Sequence, residues 1–153
     1  MTLTTTPLWE VLQQHSRDRS LTRLLDPAHP ERQWRRLEVR PELRDILELW
    51  LISWPAGAGT GWHDHGAASG AFTVLQGALT EYAWNGAGHS RILLPAGARR
   101  DFVSQHIHDV VNEGWETAVS LHAYRPRLQA MTKYELVRGH LEVSGVERAG
   151  GEW

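Results

Sequence analysis

The chain has 153 residues, 41% apolar and 22% charged, with a formal charge of -2. That suits one globular domain with a real core, and the small net charge gives no electrostatic case for nucleic acid or an anionic membrane. No cysteine is present, which excludes disulfides, thiolate metal ligands and a cysteine nucleophile.

Residues 7–25 read as helix. Pro7 suits a first turn, and Leu8, Leu12, Leu21, Leu24 and Leu25 recur at near-helical spacing. Asp26-Pro27 and His29-Pro30 end it. Residues 1–33 are therefore expected to be a helical segment that packs on the rest of the chain. Met1–Thr6 lacks the basic and apolar regions of a secretory signal. No apolar run is long enough to span a bilayer, so the expected location is cytoplasmic.

From Trp34 onward, short strands alternate with turns. Ile46–Trp54 is rich in strand formers, and Pro55–Gly61 is a Gly-rich turn. Ala71–Leu75 and Leu79–Trp84 follow, then the hairpin signal Asn85-Gly86, then Arg91–Leu94 and the turn Pro95-Ala96-Gly97. Ile107–Val111, Ala118–Tyr124 and Tyr134–Val137 complete about ten short strands, with no helix long enough to separate them into βαβ units. The expected fold is all-β, a small barrel or double-sheet jelly roll over residues 34–145, with a site at its mouth. Residues 146–153 are expected to be a tail, with Ala149–Trp153 loose or packed as a short arm.

Three clusters carry chemistry. His63 and His65 are two apart, so on a strand both imidazoles face one side, which is half of a metal site. His106-Ile107-His108 is followed by Asn112. Ser120, His122 and Tyr124 share one face of a strand, with Leu121 and Ala123 on the other. A hydroxyl, an imidazole and a phenol in a row on a buried strand need internal partners. Lone histidines are more often surface or core residues, and His15, His29, His89 and His140 belong there. Ser120 as a nucleophile is discounted, because its apolar strand offers neither a sharp turn nor a Gly-rich neighbour.

Gly57, His63, His65, Gly70 and Gly77 resemble the first cupin motif, with Gly70 where the family has a glutamate. Pro95-Ala96-Gly97, His108 and Asn112 resemble the second, with Arg100 where a histidine is usual. The resemblance implies His63, His65 and His108 as metal ligands, without a carboxylate. His106 shares a face with His108 and is the alternative; His108 is preferred because it stands four before Asn112. A cupin without the glutamate looks like a thiol dioxygenase. Over residues 34–137 the chain resembles the type I cysteine dioxygenase family, especially its bacterial members. The matching residues are His63-Asp64-His65, Leu75-Gln76-Gly77, His108 with Asn112, and Ser120-Leu121-His122-Ala123-Tyr124-Arg125-Pro126.

That resemblance implies Fe(II) as cofactor, with L-cysteine and O2 as small-molecule partners and cysteine sulfinic acid as product. Trp34-Arg35-Arg36 resembles the family's Tyr-x-Arg, so Arg36 is implied to bind the substrate carboxylate and Trp34 to stand where the family has tyrosine. Arg35 and Arg40 are the alternative carboxylate binders. Tyr124 is implied to place its hydroxyl at the reacting groups, with His122 hydrogen-bonded to it and Ser120 fixing the His122 tautomer. Animal members carry a cysteine at Gly70 that cross-links to the tyrosine; here that cross-link cannot form. Ser69-Gly70 replaces the Trp-Gly of relatives that prefer 3-mercaptopropionate, which favours cysteine. A dioxygenase for another small thiol and a non-catalytic metal-binding cupin are the competing readings. The expected assembly is a monomer or small homo-oligomer.

Overall fold

In the computed structural model, which describes residues 6–149, two antiparallel sheets pack face to face. Helix α1 (Leu8–Ser16) leads into a 3-10 helix at Arg19–Leu24. The strands are β1 (Gln33–Leu37), β2 (Glu48–Trp54), β3 (His63–Asp64), β4 (Ser69–Gln76), β5 (Ala78–Trp84), β6 (His89–Pro95), β7 (Arg99–Phe102), β8 (His108–Val111), β9 (Ala118–Arg125), β10 (Ala130–Val137) and β11 (His140–Arg148). One sheet has the order β1-β2-β9-β4-β7 and the other β11-β10-β3-β8-β5-β6. No helix among the described residues is long and apolar enough to cross a membrane.

Alternation along β9 organises both cores. Val119, Leu121 and Ala123 face outward onto α1, whose Leu8, Val11 and Leu12 are buried against them and against Leu49 and Leu51 of β2. Each of these buried leucines and valines stabilises the fold by about 1.5–3 kcal/mol. Residues of the other parity, Ala118, Ser120, His122 and Tyr124, face the space between the sheets, where Ile52, Trp54, Phe72, Val74, Leu79 and Val110 form the inner core.

Two expectations change. The helix over residues 7–25 is not continuous. Asp18 takes an extended conformation and its carboxylate accepts from the Ser20 amide at 3.0 Å, starting the tighter 3-10 segment; Asp and Ser compete in this way with the helical backbone. A strand not predicted, β11, pairs with β10 through a two-residue turn in which Arg138 and Gly139 both have positive φ. It runs to Arg148, into the residues expected to be tail. Ala149 lies just beyond it and its amide donates to the Gln129 carbonyl. Residues 150–153, the rest of that tail, lie outside the described residues, as does most of Met1–Thr6.

Candidate metal centre

His63 lies in β3 and pairs directly with His108 of β8, which puts the two imidazoles side by side. His65 follows β3 at a tight turn: the Asp64 carboxylate accepts from the Gly66 amide at 2.9 Å, and Gly66 has φ +59°. The Tyr134 hydroxyl donates to the other Asp64 oxygen at 2.6 Å and holds the turn from β10. The three rings converge, with centroids 4.7 Å apart for His63–His108, 4.8 Å for His63–His65 and 5.2 Å for His65–His108. One ring nitrogen of each lies within 4.8 Å of the other two.

The donor set fits a metal. His63 Nδ1 donates to the Gly61 carbonyl at 2.8 Å, and His108 Nδ1 donates to the Glu81 carboxylate at 2.7 Å. A carbonyl or carboxylate oxygen only accepts, so both rings keep Nε2 as a lone pair. His65 Nδ1 is buried with no hydrogen-bond partner. Burial pushes His63 and His65 well below the ordinary imidazole range, reinforced by neighbouring histidines. Burial also lowers His108, against the pull of Glu81. All three are neutral at physiological pH, the form that binds a metal.

The rings open on a cavity of about 40 Å³ between the sheets. Trp34, Trp50, Trp54, His122 and Tyr124 line the opposite wall, and Arg32 and Lys133 bring positive charge. Burial pushes the Tyr124 phenol up, out of reach of ionisation at neutral pH. Trp54 Nε1 donates to Ser120 Oγ at 2.7 Å, and Ser120 Oγ faces His122 Nε2 at 2.6 Å. This network sets the His122 ring against Phe72, stacked at 4.9 Å. Burial holds His122 down at about 3. The His122–Tyr124 hydrogen bond expected from the sequence is not formed: the rings stand 6.4 Å apart, and Trp54 completes the row instead.

Arg36 does not reach the cavity. Arg32, Trp34 and Arg36 share one face of the β1 segment, and Trp34 opposite Ile52 sets their places along it. Arg36 lands beside Trp50 at the outer end, its guanidinium 5.0 Å from that ring and 3.5 Å from Glu48, half exposed. Arg32 lands at the inner end, over Trp34 and Trp54 at 5.4 and 5.2 Å. Arg35 and Arg40 are exposed and do not line the cavity either.

Gly70 sits in β4 opposite both Tyr124 and Phe102. A Cβ there collides with the Phe102 ring, and that ring is stacked on His65 at 5.0 Å. Phe102 thus fills the volume that a fourth ligand or a cross-linking side chain would need. Replacing Gly70 by cysteine is expected to overpack this contact and destabilise the fold by about 1–3 kcal/mol, with Phe102→Leu relieving part of the loss. Thermal melts of the single and double variants check this; an unchanged midpoint for Gly70→Cys sinks it.

The sequence model of the cysteine dioxygenase type I family matches residues 24–136. The chain belongs to the cysteine dioxygenase type I family. Its fold is that of solved cupin and double-stranded β-helix proteins. The TT1209 protein of Thermus thermophilus is 20% identical with a TM-score of 0.59, over 70% of this chain and 94% of that one. A conserved protein with a double-stranded β-helix domain from Klebsiella pneumoniae is 16% identical with a TM-score of 0.59, over 84% and 97%. A cupin superfamily protein from Desulfitobacterium hafniense is 15% identical with a TM-score of 0.57, over 69% and 86%. As a cysteine dioxygenase family member with a triad of buried histidines, the chain is a metal-dependent, dioxygenase-type oxidoreductase.

Proposed function

We propose that this family member oxidises L-cysteine with O2 to cysteine sulfinic acid, using Fe(II) held by His63, His65 and His108. The observation that carries this reading is the pairing of three neutral imidazoles with two cationic side chains in one small cavity. Iron, when bound, supplies the centre at which thiol and O2 react.

The chain's own residues supply everything else. Arg32, in place of Arg36, takes the substrate carboxylate through a charge-assisted contact and fixes its orientation. Lys133, on the same cavity, adds a second positive charge. Tyr124 stays protonated and offers a hydroxyl donor. Ser120 holds His122 beside it. The tryptophan wall, Trp34 included, excludes water.

A second reading keeps the iron and changes the thiol. Among the described residues that line the cavity there is no Asp or Glu, so no side chain there pairs with a substrate ammonium. That favours 3-mercaptopropionate, a thiol carboxylate without the amine.

Oxygen uptake by Fe(II)-loaded protein, with cysteine and 3-mercaptopropionate side by side and products weighed by mass spectrometry, tests both. Two oxygen atoms gained on cysteine, with cysteine preferred, support the first reading, and the reverse preference supports the second. No uptake with either, on protein shown to hold iron, rejects both and favours a metal-binding module. Arg32→Ala is expected to raise KM for cysteine about 10–100-fold, the worth of a hydrogen bond to a charged group. Cysteamine, which lacks the carboxylate, is expected to be little affected, and Arg36→Ala is expected to change neither. Equal losses on both thiols for Arg32→Ala reject its role.

A further inference from the structure

Behind His108, on the side away from the cavity, lies a carboxylate that the proposed reaction does not use. Glu81 sits in β5, diagonal to His108 of β8 on the same face, and its side chain is fully buried. One oxygen accepts from His108 Nδ1 at 2.7 Å and lies 3.4 Å from His106 Nε2. The other accepts from Arg100 Nε at 2.5 Å. Glu81, His106 and His108 together have the donor count of a second metal site. Arg100 argues against that use: its guanidinium already neutralises the carboxylate, and a cation would have to displace it. Arg100 also stands where the cupin pattern has a histidine, and here its task is to fix Glu81 from the partly exposed side.

We propose that Glu81 is a positioning residue for the metal. It holds His108 in the Nδ1–H tautomer, aims Nε2 at His63 and His65, and makes that nitrogen a stronger donor. Arg100 holds Glu81 in turn. This rests on the reading of His63, His65 and His108 as the ligand set.

Two measurements test it, neither of which is enzymatic activity. The first uses wild-type, metal-free protein labelled with 15N-histidine: long-range proton–nitrogen correlation is expected to find the His108 proton on Nδ1. A proton on Nε2 overturns the proposal, and this readout needs no variant to fold. The second is Co(II) affinity by chelator competition in a double-mutant cycle. Glu81→Gln is expected to weaken Co(II) about 10–100-fold. In the His108→Ala background the same change is expected to matter by no more than about twofold. Equal losses in both backgrounds mark Glu81 as merely structural and overturn the proposal. Wild-type affinity in Glu81→Gln, with affinity lost in His108→Ala, overturns it while leaving the ligand set standing. Undiminished affinity in His108→Ala removes the ligand reading itself.

Discussion

Replacing His65 by leucine is expected to abolish tight metal binding and, in the same protein, to stabilise the metal-free fold. The first effect follows from ligand number. Apparent binding energies of about 10–16 kcal/mol for four-ligand sites correspond to about 3 kcal/mol per ligand, or on the order of 100-fold or more. With three ligands to begin with, the loss should take oxygenase activity with it. The second effect follows from His65 Nδ1, which is buried without a hydrogen-bond partner. Such an atom costs about 1–3 kcal/mol, and leucine removes it while keeping a side chain between Phe102 and Tyr124, the rings that His65 now touches. At about 2–4 °C per kcal/mol for a chain of this size, the melting midpoint should rise by several degrees. Calorimetry on chelator-treated wild type and variant reads the stability, and Co(II) titration reads the site. Retained metal, or a lowered midpoint, counts against this account of His65.

The metal-free protein is also expected to lose stability steeply as pH falls from about 6.5 toward 5. His63, His65 and His122 are all lowered by burial in the folded state. Below the unfolded imidazole value the unfolded chain therefore binds more protons, and stability falls with pH. With His122 held at about 3, that residue alone costs about 2 kcal/mol at pH 5. His63 and His65 act with the same sign. Against a typical total of about 5–15 kcal/mol, the loss by pH 5 is a large fraction of the stability of the metal-free chain. Glu81 extends the trend at lower pH. Burial opposes its charge, but the hydrogen bonds from His106, His108 and Arg100 prevail and hold the carboxyl well below its ordinary range. Urea unfolding of chelator-treated protein at pH 7, 6 and 5 checks the slope, and His122→Phe should flatten it. A stability that does not change between pH 7 and 5 rejects the burial of neutral histidines as a cause.

Period-two spacing made much of the inner sheet legible. It placed Ser120, His122 and Tyr124 on one face of β9 with Leu121 and Ala123 on the other, and the structure has them so. His63 and His65 were readable as a pair for the same reason, and His108 came from its spacing to Asn112. What spacing does not carry is position along a strand. Arg32, Trp34 and Arg36 have the same parity, and only the pairing of β1 with β2 decides which arginine meets the cavity. Glu81 has a fainter signal in the sequence: it shares parity with the buried Leu79 in β5, and a charge on an apolar face implies buried partners. The break between α1 and the 3-10 helix was hidden because leucines continue across it, while the deciding contact is a single Asp18 side chain.

The shortest strand has a consequence for how the molecule loosens. β3 has two residues, yet among the described residues it is the strand that joins the β10–β11 hairpin to β8, β5 and β6 in its sheet. It pairs with β10 through His63 and Asp64 and with β8 through His63 opposite His108, and the segment just before it adds a bridge from Gly59 to Val111 and a bond from the Thr60 amide to the Val110 carbonyl. An ion gripped by His63, His65 and His108 would be a further rivet across this narrow junction, and its binding free energy would add directly to the cost of opening there. Amide hydrogens of β10 and β11 should accordingly exchange faster once the metal is stripped, while those of β2, β4 and β9 keep their protection.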